Sequence, residues 1–121
     1  MASNWTLTVR NGPRVEHVHF ETLDEALDGL ERRIEELAPS ARRQALQIAR
    51  RRYEPARQVV VRAEITGPGG MLARVRGGVD LRGDGSAEAY TGRFKRSLVE
   101  LRADETPYEG LRRLLESRGN S

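Results

Sequence analysis

The sequence predicts an α+β fold: a mostly antiparallel sheet of about five strands, in the order β-β-α-α-β-β-β-α, with the helices packed on one face. Three observations predict it. Stretches that alternate apolar and polar residues occur at the start and in the second half of the chain, the period of a half-buried strand. Two stretches with apolar residues at steps of three and four each follow a Thr-x-x-Glu capping box. The later strand-like stretches are joined by connections too short for a crossover, so they form an antiparallel meander.

Trp5-Thr-Leu-Thr-Val9 opens the series as a strand. Asn11-Gly12 is a hairpin signal, and Pro13, which cannot donate a ladder bond, ends the turn. Val15 to Phe20 returns as the second strand, with Trp5, Leu7, Val9, Val18 and Phe20 facing the core. Thr22-Leu-Asp-Glu25 caps a helix over Leu23 to Leu37, whose apolar stripe is Leu23, Leu27, Leu30, Ile34 and Leu37. Asp24, Glu25 and Asp28 suit its positive dipole end. Pro39 is expected to break or kink the helix. A second helical stretch then runs from Ser40 to about Tyr53, with Ala45, Leu46, Ala49 and Tyr53 on one face, and Pro55 ends it.

Val59, Val61, Ala63 and Ile65 mark the third strand, and Gly67-Pro-Gly-Gly70 a turn. Met71, Ala73, Val75, Val79 and Leu81 mark the fourth, with a bulge or bend expected at Gly77-Gly78. Gly83-Asp-Gly85 is a hairpin turn, and Ala87 to Leu101 reads as one long last strand with a bend at Gly92. Thr106-Pro-Tyr-Glu109 caps the closing helix, with proline at its first position. Tyr108, Leu111, Leu114 and Leu115 form its apolar stripe, and Gly119 stops it. The ending of three strands and a helix is similar in order to double-stranded-RNA-binding modules. The last helix opens on Thr106-Pro-Tyr-Glu109 rather than on their basic signature, so no family is assigned.

At 121 residues, the chain (1–121) is read as a single domain. Apolar residues make up 37% and charged residues 32%, so a thin core is expected, with an uncovered sheet face or a dimer interface as corollary. No cysteine is present, which removes disulfides and thiolate metal sites and fits a reducing compartment. Met1 to Arg10 lacks the pattern of a secretory signal, and no apolar run approaches the ~18 residues of a membrane span. A cytoplasmic protein with no membrane partner is the expectation.

The charges are segregated. Glu21 to Ala38 holds seven carboxylates and two arginines; Pro39 to Ala56 holds five arginines and one carboxylate. The basic residues are 20 arginines and one lysine. Arginine suits bidentate recognition of phosphates and carboxylates, although codon bias in a GC-rich genome produces the same enrichment. Arg62, Arg74, Arg76, Arg93 and Lys95 fall on the strands opposite the apolar set, which makes the free sheet face a cationic platform for a polyanion or a protein partner. RNA-binding sheets add stacking aromatics, and here only Tyr90 and Phe94 are candidates. Arg42, Arg43, Arg50 and Arg51 form a second basic cluster, placed to meet phosphates or the preceding acidic helix, within the chain or across a dimer.

His17 and His19 point the same way on a strand but lack a third ligand, so no metal is expected, and no cofactor motif is present. No nucleophile elbow or triad pattern occurs. The reading is a small non-enzymatic binding module that self-associates as a homodimer. A nucleic-acid- or polyanion-binding accessory protein, or one that meets an acidic protein partner, is the alternative. A small enzyme acting on an anionic metabolite, held by Arg74, Arg76 or Arg93, is the second alternative.

Overall fold

The computed structural model describes residues 5–52, 59–69, 75–92 and 95–119, and of residues 44–52 only the helical backbone. The chain opens with strands β1 (Trp5–Asn11) and β2 (Arg14–Phe20), followed by helix α1 (Leu23–Arg52). Strands β3 (Val59–Thr66), β4 (Arg76–Arg82), β5 (Ala87–Thr91) and β6 (Ser97–Leu98) come next, and helix α2 (Pro107–Gly119) is last. The strands form one sheet in the order β2-β1-β3-β4-β5-β6, and every neighbouring pair is antiparallel. The expected α+β class and antiparallel sheet are both present. The expected ends at Tyr53 and Pro55, and the positions of Met71, Ala73, Arg74, Arg93 and Phe94, lie outside the described residues.

One face of the sheet meets both helices. Leu7, Val9, Val61, Ala63, Ile65, Val79, Leu81 and Ala89 project from it and are buried. Leu27, Leu30 and Ile34 of α1 and Leu111 and Leu115 of α2 close over them. Each such Leu, Ile or Val contributes about 1.5–3 kcal/mol of burial. Trp5 and Phe20 pack at the margin of this core. Val18, expected in the core, is 41% exposed: it sits on edge strand β2, which has β1 on one side and, among the described residues, no strand on the other.

Three local expectations are corrected. First, α1 is one helix of 30 residues that passes through Pro39, not two. Proline removes a backbone bond there, but Ile34 and Ala41, one on each side of it, are each 1% exposed, and that burial holds the helix to the sheet. The Ser40 hydroxyl donates to the Leu37 carbonyl at 3.1 Å within the same turn. Acidic and basic stretches therefore share one axis, carboxylates first and arginines last, in the sense that complements the helix dipole. One continuous axis sets the backbone of the arginine stretch beyond Glu31, Glu35 and Glu36 rather than folded back against them.

Second, the expected long last strand is divided. Gly92 adopts φ of 92°, a conformation open to glycine, and the chain turns so that Ser97-Leu98 pairs back onto Tyr90-Thr91. The sheet thus gains a sixth, two-residue strand. Third, Gly77-Gly78 is no bulge. Both residues keep regular register with Ile65 and Glu64, and the irregularity lies instead between Val59 and Val61. A Cβ on Gly77 would stand 3.0 Å from Leu111 Cδ1 and 3.2 Å from Leu115 Cδ2, so the glycine admits α2 to the sheet.

Both helix starts are capped as the Thr-x-x-Glu spacing predicts. Glu25 N–H donates to Thr22 Oγ1 at 3.1 Å, and the Thr22 hydroxyl donates to the Glu25 carboxylate at 3.0 Å. At α2 the box is fully reciprocal: Glu109 N–H to Thr106 Oγ1 at 3.1 Å, and Thr106 N–H to Glu109 Oε1 at 2.9 Å. Arg112 of α2 joins the first turns of α1, pairing with Asp24 and, at 2.7 Å, with Asp28. Arg113 grips Glu105 through Nε and Nη2, both at 2.9 Å, while the Arg102 N–H donates to the same carboxylate at 3.0 Å. With Arg113 the larger cause, these bonds hold the Glu105 carboxyl down at about 2.

Two outcomes are expected. Pro39→Ala restores a backbone bond on an exposed helix position and should raise stability, by up to about 3 kcal/mol; an unchanged urea midpoint contradicts a continuous α1. Glu105 has a folded-state pKa below its unfolded value. Its contribution is therefore complete above pH 4.5 and is lost as pH falls through about 2. The melting-temperature gap between wild type and Glu105→Gln should shrink over that interval; a gap independent of pH counts against the Arg113 clamp.

Candidate functional site

The sheet face opposite the helices is uncovered among the described residues, and strand alternation decides what it carries. On β1, the residues between Leu7 and Val9 and on either side of them, Thr6, Thr8 and Arg10, point to it. The register then aligns three cross-sheet rows. Thr8 lies between His17 and Glu64, and Glu64 continues to Gly78 and Tyr90. Arg10 lies between Val15 and Arg62, and Arg62 continues to Asp80 and Glu88. Thr6 lies between His19 and Thr66, and Thr66 faces Arg76.

The rows form ion pairs. Arg62 grips Asp80 through Nε at 2.6 Å and Nη2 at 3.0 Å. Arg76 donates to Glu64 at 3.2 Å, and Arg82 donates to Glu88 at 2.7 Å. The expected bare cationic platform is therefore corrected: antiparallel register sets a carboxylate beside these guanidiniums, and the face is a lattice of opposite charges. His17 and His19 each place Nδ1 against a threonine hydroxyl, Thr8 at 3.0 Å and Thr6 at 3.2 Å. Among the described residues no three His, Asp or Glu side chains are grouped to hold a metal ion.

Tyr90 ties the lattice together. Its ring lies on the open face yet is only 2% exposed, because Gly78 beside it has no side chain. A Cβ on Gly78 would overlap the Ala63 carbonyl oxygen and stand 2.8 Å from Tyr90 Oη. The ring lies across β4, and its hydroxyl donates to Glu64 on β3 at 2.7 Å. Burial first, and then the Glu64 carboxylate, push the phenol well above its ordinary range, so it stays a protonated donor. The guanidiniums of Arg62 and Arg96 stand 5.7 and 5.0 Å from its ring centre. Tyr90 is consequently closed to base stacking.

The sequence-nominated residues separate into groups. Arg62 and Arg76 are on the open face, as expected. Lys95 is exposed in the connection between β5 and β6 rather than on a strand, because Gly92 ends β5 early. Arg42 and Arg43 are exposed on α1, and Arg50 and Arg51 belong to its last turns, with side chains outside the described residues. Since α1 covers the other face, the sheet does not bring the two basic groups together. Arg74 and Arg93 lie outside the described residues.

Sequence reasoning missed Arg10, Arg96 and Gly78 as members of this face, and it offered Tyr90 there only as a stacking aromatic. Arg10 was accessible from alternation with Thr6 and Thr8. The pairing of Arg62 with Asp80 needed the register of β3 on β4.

Gly78→Ala should cost about 1–3 kcal/mol, because backbone and ring must both move; a urea midpoint equal to wild type counts against the arrangement of Tyr90. In comparisons with known proteins, no family model matches the chain, and no curated protein or solved structure matches it.

Proposed function

We propose that this chain is a non-enzymatic binding module that self-associates through β2, each copy adding its edge strand to that of a second copy. The observation that carries the reading is the contrast between the two sheet edges. β2 has seven residues, six of them exposed, and pairs with β1 without a bulge from Trp5–Phe20 to Asn11–Arg14. β6 at the opposite edge has two residues. A long regular edge presents unpaired backbone donors and acceptors, which natural sheets shorten, bulge or cover. β2 has no proline or lysine and exposes Val15 and Val18 on its two faces.

Antiparallel pairing of β2 with its twin about a two-fold axis satisfies those backbone groups and makes the contact self-complementary. It joins the sheets into one, with both open faces on the same side. Arg62, Arg76, Arg82 and Tyr90 of that face bond to its carboxylates, which supports a surface that binds rather than one that reacts. Among the described residues no helix is long and apolar enough to cross a membrane.

Sedimentation equilibrium tests the reading. The wild type should show a dimer that dissociates on dilution. The double substitution Val15→Lys, Val18→Lys should give a monomer with a nearly unchanged melting temperature, because both side chains are exposed. A wild type that stays monomeric at high concentration and low salt overturns it.

A further inference from the structure

The open face contains a hollow of about 190 Å³ whose lining is out of charge balance. Among the described residues, four guanidiniums line it, those of Arg10, Arg62, Arg76 and Arg96, with a single carboxylate, Glu64. Asp80 stands against Arg62, so among the described residues the cluster carries four positive and two negative charges, an excess of two. Elsewhere on this face the register sets acid beside base. Here Arg10 faces Arg62 across the β1–β3 ladder, and among the described residues no carboxylate pairs with Arg10. Two like charges directly opposite each other on neighbouring strands are destabilising unless an anion lies between them.

Three of the four guanidiniums, those of Arg62, Arg76 and Arg96, are held in place before any ligand arrives. Asp80 occupies one N–H each of Nε and Nη2 of Arg62, which leaves three N–H groups, two on Nη1 and one on Nη2. Arg96 leans on the Tyr90 ring, a contact that uses no donor. Glu64, itself bonded by the Tyr90 hydroxyl, fixes Arg76. Side chains already ordered lose less entropy when they bind. Thr8 and Thr66 add hydroxyls to the rim. The space is well above the ~10–15 Å³ that admits one water, enough for a tetrahedral oxyanion and the first atoms of an ester.

We propose that this hollow binds a phosphate dianion, free or as the terminal group of a small phosphomonoester. The excess charge matches a dianion, and arginine forks match its oxygens. The site lies within one chain and does not depend on pairing through β2, so it stands or falls apart from self-association.

The test is titration of the full chain with inorganic phosphate, followed by amide and arginine Nε resonances against a chloride control of equal ionic strength. Saturable shifts should centre on Thr8, Arg10, Arg62 and Arg96. Arg10→Ala and Arg96→Ala, both exposed and outside the core, should each weaken binding about tenfold, the loss of a charge-assisted bond. Glycerol phosphate binding tighter than inorganic phosphate identifies an ester as the source; the reverse order identifies the free anion. No saturable shift in large phosphate excess, equal shifts with chloride, or undiminished binding in both variants overturns the proposal. So does an oligonucleotide that binds more tightly than either monophosphate.

Discussion

The structure turns on two adjacent positions in β4 that have no side chains. Gly77 and Gly78 point to opposite faces, and each leaves room for something essential there. On the helix side, Leu111 and Leu115 of α2 approach the backbone at Gly77. On the open side, the Tyr90 ring crosses Gly78 to reach Glu64. A glycine pair in a strand costs backbone entropy and gives up β-propensity. Here that cost is offset by packing on both surfaces of one strand. The second helix and the polar lattice thus depend on the same point in the sheet.

Charge acts in two different ways on the two sides. On the helix side, pairs at the margins orient elements that apolar burial already holds. Arg33 joins α1 to Glu16 of β2, and Arg112 joins α2 to Asp24 and Asp28. Such solvated pairs are each worth about 0–1 kcal/mol, and they favour one docking angle over others. On the open side, among the described residues, no apolar layer shares the task. There Arg62, Asp80, Glu64, Arg76 and Tyr90 keep a half-exposed face in a single arrangement through bonds that each use a neighbour's remaining capacity.

Much of the fold was legible from local pattern. The α+β class, the antiparallel sheet, both capping boxes and the core positions of Leu7, Val9, Leu27, Leu30, Ile34, Leu111 and Leu115 follow from periodicity and end signals. What was not legible depended on distant partners. Pro39 reads as a break because a local rule cannot weigh the burial of Ile34 and Ala41 on either side of it. Val18 reads as core because alternation assigns a face but not a distance from the helix that covers it. The candidate site was half visible: Arg62 and Arg76 follow from alternation, whereas their pairing with Asp80 and Glu64 exists only once strands are set in register. Tyr90 was hardest to place, since a large ring on the uncovered face is buried only through the absence of a side chain at Gly78.

The strand order also shapes how the chain reaches this state. Each sheet neighbour pair joins strands adjacent in sequence, with one exception: β1 pairs with β3 across the whole of α1. The β1–β2 hairpin and the strands from β3 to β6 each need only short loop closures. The entropy of bringing distant segments together is therefore concentrated in one event, the meeting of Thr6–Asn11 with Val61–Thr66. Helix α1 shortens the span that this event must close, at about 1.5 Å per residue instead of extended chain. Because non-local pairing slows folding, this one closure weighs most on how fast the chain reaches its sheet.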